Sequence, residues 1–127
     1  MTGDGMRDVI GRFVAAYNRF DVNGMLALLA PNVVFENVSG GQVTASAVGA
    51  AEFRSLAEQS AKLFSEREQR ITGITFRSDS ALVSIAYRGV LAADIPGGPT
   101  AGSVLELTGE SEYSFEEGRI SRLVDRS

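Results

Sequence analysis

Few residue types in this chain can move a proton. Its 127 residues include no histidine and no cysteine, which removes imidazole bases, thiol nucleophiles, disulfides and the common zinc ligand sets. Proton transfer therefore falls to Asp, Glu, Tyr or a perturbed Lys or Arg, and the single lysine, Lys62, lies in a helical pattern and reads as a solvated charge. Two aspartates are candidate acid–base groups. Asp94 follows a strand-like run and precedes Ile95-Pro96-Gly97-Gly98. It is either a base raised by burial or an Asx-type turn former, and its neighbours favour the turn. Asp125 stands between Arg122 and Arg126 near the chain end, where a surface ion pair is the stronger reading. Glu106, Glu110 and Glu112 alternate along one strand face and are expected to meet arginines across strands or at a dimer interface. Hard-cation sites usually draw on loop carbonyls too, so neither a metal nor a cofactor is expected.

A second set of residues has ligand-orienting chemistry. Val33–Val38 reads as a strand entering the Ser39-Gly40-Gly41 turn, and alternation sends Glu36 and Asn37 to opposite faces. Phe35 shares its face with Val33 and Asn37, so the inward polar group is expected to be the amide. An amide orients a carbonyl or hydroxyl ligand but takes up no proton near neutral pH. Tyr17, Tyr87 and Tyr113 fall on expected inner faces, as oxyanion donors or as core tyrosines with satisfied hydroxyls. Ser60 and Ser111 interrupt apolar stripes, leaving space as much as chemistry, and Phe53 lies on the same helix face as Ser60.

These residues need a scaffold. Residues 6–20 place Val9, Ile10, Phe13, Val14, Tyr17 and Phe20 at three- and four-residue steps, which predicts an amphipathic helix. A shorter helix is expected over 22–30, stopped by Pro31. After the 33–38 strand, a Gly/Ser/Thr-rich connection leads to a long helix over about 47–64, capped by Ser46 or Thr44. Its inner face carries Phe53, Leu56, Ala57, Ser60, Leu63 and Phe64. Four strands follow, over 70–77, 81–93, 103–115 and 120–126, with 95–102 as a loop and 116–119 as a hairpin turn. Gly73, Gly89 and Gly109 are candidate bend or bulge positions. The element order predicts an α+β fold in which three helices pack on a curved antiparallel sheet, forming a cone with an interior pocket.

Composition agrees with one soluble domain over residues 1–127. With 44% hydrophobic and 22% charged residues the chain can bury a core. A net charge of −4 argues against nucleic-acid and anionic-membrane surfaces. No apolar run approaches the ~20 residues that span a bilayer, and the amino-terminal residues lack a secretory pattern, so a cytoplasmic location is expected.

The element order, the stretch Phe13-Val14-Ala15-Ala16-Tyr17-Asn18, the strand end Phe35-Glu36-Asn37 and the closing Gly118-Arg119-Ile120 together resemble the nuclear transport factor 2-like superfamily. More narrowly they resemble its SnoaL-like and ketosteroid-isomerase-like branch. The resemblance implies a cone-shaped α+β barrel (the cystatin-like architecture), often a homodimer through its sheet, with a ligand pocket. It does not imply one reaction, since this fold hosts isomerases, cyclases, hydrolases, dehydratases and non-catalytic modules. Ketosteroid isomerase uses an Asp base with a Tyr and a protonated Asp as oxyanion donors. Those roles map to Asn37, Phe13 and Ser111 here, so all three are vacated, which argues against that activity. SnoaL-like cyclases use an acidic residue late in the chain, and Asp125 is the nearest match. The expectation is a protein that binds a small, mostly apolar oxygenated molecule, as a cofactor-independent isomerase, cyclase or hydratase. The alternative is a dimerisation or interaction module whose cavity is filled by its own side chains.

Overall fold

The computed structural model describes residues 1–127. Helix α1 (Gly3–Asn18) starts at Thr2, whose hydroxyl oxygen accepts from the Gly5 amide at 3.0 Å. Ile10, Phe13 and Val14 of the expected stripe are buried along it, with Met6 one turn earlier. Val9 and Tyr17 pack partly buried against the same core, and Phe20 lies past the helix end at φ 60°. Helix α2 (Val22–Leu26) leads into strands β1 (Leu29–Ser39) and β2 (Gln42–Val48), then helix α3 (Ala50–Leu63). Strands β3 (Phe64–Phe76), β4 (Ser80–Leu91), β5 (Val104–Glu116) and β6 (Arg119–Arg126) complete the chain. All six strands form one curved sheet in the order β2-β1-β6-β5-β4-β3. The α+β architecture is the one expected. One neighbour pair departs from antiparallel: β1 runs parallel to β6.

Four boundaries differ from expectation, each for a local reason. The polar connection after residue 38 contains β2, joined to β1 through Gly40 and Gly41 at φ 58° and 79°. Two consecutive left-handed residues form the tight hairpin turn that matches strand twist. Because β2 is a mostly exposed edge, its alternation of Val43, Ala45 and Ala47 with polar residues uses small side chains and is weak. Helix α2 ends at Leu26, and Leu29 already pairs with Ile120 of β6. Pro31 then falls in the irregular stretch of β1 between Leu29 and Val34, where a missing N–H is tolerated. Helix α3 is preceded by Gly49 at φ 89° with no side-chain cap. Ser46 and Thr44 therefore do not cap it; the Thr44 hydroxyl accepts from Asn37 instead. Lastly, β3 begins at Phe64, not Arg70.

The concave side of the sheet meets α1 and α3. At one end Phe13, Val83, Tyr113, Phe115, Ile120 and Leu123 close a continuous core, with the Phe13 and Tyr113 rings edge-on at 5.9 Å. Of the three glycines expected to bend strands, Gly73 lies at a register shift of β3 against β4. Gly89 and Gly109 have another cause, close approach. A Cβ at Gly89 would sit 2.8 Å from the Phe64 ring, and one at Gly109 would collide with the backbone carbonyl of Arg126. Backbone yields less than a flexible side chain, so Gly109→Ala should lower the unfolding free energy by about 2 kcal/mol. Gly73→Ala, which meets only Ser84 at 3.9 Å, should cost about 1 kcal/mol or less by denaturant titration.

Candidate functional site

The core does not fill the concave face. Beyond Phe13 and Tyr113 a mostly apolar cavity of about 640 Å³ lies between the sheet, α1 and α3, within the range of small-molecule pockets. Its walls follow from strand register. Asn37 of β1 stands beside Asp125 of β6, and Asp125 beside Ser111 of β5, forming one polar row across three strands. The next row is Phe35, Leu123 and Tyr113. Across the cavity, Tyr87 of β4 pairs with Gln69 of β3, and Gly89 with Arg67. Phe53 and Ser60 of α3 and Tyr17 of α1 close the remaining side.

Every ligand-orienting candidate from the sequence thus lies along this cavity: Tyr17, Phe35, Asn37, Phe53, Ser60, Tyr87, Ser111 and Tyr113. Asn37, not Glu36, lines it; Glu36 points outward and pairs with Arg122 at 3.1 Å. The Asn37 amide nitrogen donates to Thr44 Oγ1 at 2.8 Å, so its carbonyl oxygen is the group left for a ligand.

The two candidate acids separate. Asp94 is exposed on the loop after β4, where its Oδ1 accepts from the Ala101 amide at 2.7 Å. It is a loop organiser outside the cavity, so its candidacy as an acid–base residue is withdrawn. Asp125 lines the cavity, and the ion pairs expected for it go elsewhere: Arg122 to Glu36 at 3.1 Å and Arg126 to Glu112 at 2.9 Å. Alternation along β6 is the reason, since 122 and 126 share the outer face and 125 the inner. Asp125 is half-buried in the cavity wall. Burial pushes its carboxyl up to about 6, and the Ser111 hydroxyl, donating to Oδ1 at 2.7 Å, holds it from rising further.

Opposite stands a tyrosine pair. Tyr17 donates to the Tyr87 hydroxyl oxygen at 3.2 Å, and burial raises both phenols above their ordinary value. Both therefore remain hydrogen-bond donors at neutral pH, and Tyr87 donates to no protein group. Burial likewise pushes the Tyr113 phenol up, with the Asp125 charge adding to it.

Among the lining residues that the sequence reading did not single out, Arg67 and Gln69 matter most. Arg67 is 6% exposed, and its guanidinium carbon stands 3.7 Å from the centre of the Tyr17 ring. The Gln69 side-chain oxygen is buried without a donor. The signal was the two-residue spacing Arg67, Gln69, Ile71, hidden because the inward residues are polar.

A carboxyl raised on folding binds more protons in the folded chain between its unfolded value and about 6. Stability from this group is then full at low pH and falls as pH rises through that window. The Asp125→Asn variant should therefore gain on wild type by up to about 3 kcal/mol between about pH 4 and 7, measured by denaturant unfolding across pH.

No functionally curated protein has a sequence that significantly matches this chain. Solved structures do. A candidate polyketide cyclase of Xanthomonas campestris pv. campestris is 23% identical at a TM-score of 0.84, covering 98% of this chain and 90% of that one. Another, of Silicibacter sp. TM1040, is 25% identical at a TM-score of 0.76 with the same coverage of both chains, 98% and 90%. A nuclear transport factor 2-like protein of unknown function from Burkholderia pseudomallei is 20% identical at 0.78, again covering 98% and 90%. The sequence itself matches the SnoaL-like domain over residues 10–123. That match runs from the middle of α1 into β6 and covers most of the chain, so the chain belongs to the SnoaL-like family of the nuclear transport factor 2-like fold.

Proposed function

We propose that this protein binds a small, mostly apolar oxygenated molecule in its cavity and moves a proton on it without a cofactor, as an isomerase, cyclase or hydratase. One observation carries the reading: a carboxyl raised to about 6, held by Ser111, in the wall of an apolar cavity. A base whose pKa lies near the working pH combines the ionised form with good proton affinity. The similarity to candidate polyketide cyclases supports carbonyl chemistry as the class.

In that chemistry an Asp125 oxygen takes a proton from the carbon beside a ligand carbonyl. The C–H pair becomes the enolate double bond and the carbonyl oxygen takes the charge, which a phenol of the Tyr17–Tyr87 pair or another donor of the wall stabilises. An isomerase then returns the proton from Asp125 to a different carbon. In a cyclase the enolate carbon attacks a second carbonyl, and Asp125 protonates the alkoxide that forms. The other reading, an interaction module with a self-filled core, is disfavoured by a cavity of about 640 Å³.

The test is exchange of the acidic C–H of 2-tetralone in deuterated buffer, followed by proton NMR. Wild type should accelerate exchange with a rate rising through about pH 6, and Asp125→Asn should lose about hundredfold or more. Exchange no faster than buffer, or unchanged in Asp125→Asn, would remove Asp125 as the base.

A further inference from the structure

The far end of the cavity holds a charge that nothing in the chain balances. Arg67 is 94% buried, by its 6% exposure, yet takes part in none of the chain's ion pairs. Its Nε donates to the Tyr17 carbonyl oxygen at 2.9 Å and is its only nitrogen with a protein acceptor. The other groups holding it are aromatic faces, Tyr17 at 3.7 Å and Phe20 at 4.4 Å. Phe20 adopts φ 60°, a left-handed conformation that glycine normally takes at a helix end. An aromatic residue is kept in that conformation beneath the guanidinium.

All these partners are neutral. Guanidinium does not lose its proton in a protein, and a buried charge without a counter-ion is costly. Tying α1 to β3 explains the Nε bond, because the C-terminus of a helix favours a cation. It leaves the N–H groups of the two terminal nitrogens with no protein acceptor, on a residue that lines the cavity. Two residues along the same strand face, the buried Gln69 Oε1 lacks a donor. One end of the cavity therefore offers a planar cationic fork, and the other a carboxyl.

We propose that the Arg67 end binds a delocalised oxyanion, a carboxylate or an ionised enol, carried by the apolar ligand. The inference rests on the cavity being a ligand site, as proposed above. Guanidinium matches two-oxygen anions through paired hydrogen bonds. Ionised Asp125 repels the same group, so the two charges orient the ligand with its anion at Arg67 and its reactive carbon at Asp125.

Isothermal titration at about pH 8 with two matched pairs tests this. One pair is 2-naphthoate and its methyl ester; the other is 2-hydroxy-1,4-naphthoquinone, ionised at that pH, and its 2-methoxy ether. At least one anion should bind about tenfold or more tightly than its neutral partner, and the pair that shows the preference distinguishes carboxylate from enol. Gln69→Glu, which places a counter-ion on the same strand face, should erase the preference while the neutral probes still bind; so should Arg67→Met if it folds. Neutral probes binding as tightly as both anions, or an undiminished preference in Gln69→Glu, would overturn the oxyanion site and leave the cavity reading intact. Failure of all four probes to bind would take down both.

Discussion

The parallel pairing of β6 with β1 is the constraint on which the site depends. It sets the last strand between β5 and β1, inside the sheet and not at its edge. Its register places Asp125 beside Asn37 on one side and Ser111 on the other. A slip of one residue would exchange the faces of β6, sending Asp125 to solvent and the arginines at 122 and 126 into an apolar cavity. Desolvation of two guanidinium groups opposes that slip strongly, as does the loss of Leu123 from the core. The polar row is thus fixed by the same forces that fix the core.

Around that row the fold divides the concave face into two parts. One end is closed by α1 and the rings of Phe13, Tyr113 and Phe115; rings of this size bury large apolar areas and supply much of a domain's stability. Beyond them lies the cavity, walled in part by α3 and β3, where the strand's inward positions turn from Ile71, Ile74 and Phe76 to Gln69 and Arg67. The polarity change along a single strand marks where packing ends and recognition begins. Opposite charges then stand on opposite walls, kept apart by β4 and β5.

How much of this could be read beforehand varies with the residue. Helix α1 and strands β4 and β5 have strong apolar periodicity, and their faces follow from it. Asn37 against Glu36 was legible because Phe35 fixes the core side of a two-residue alternation. Strand β2 was not, since an exposed edge buries almost nothing and its composition resembles a loop. The first half of β3 was hidden for the opposite reason: its inward residues are polar for the cavity's sake, and local rules fail where a site is built. Asp125 lay between. Its neighbouring arginines suggested a surface pair, and only the outer-face partners Glu36 and Glu112, far away in sequence, reveal where those arginines go.

The proposed chemistry requires Asp125 to be a half-buried acid poised near neutral pH. Its carboxyl carbon can be followed directly by a carbon-13 NMR titration of protein labelled at aspartate, with Asp125→Asn identifying the resonance. The account predicts a midpoint at about 6. A midpoint near 4, that of an ordinary solvated aspartate, would contradict it.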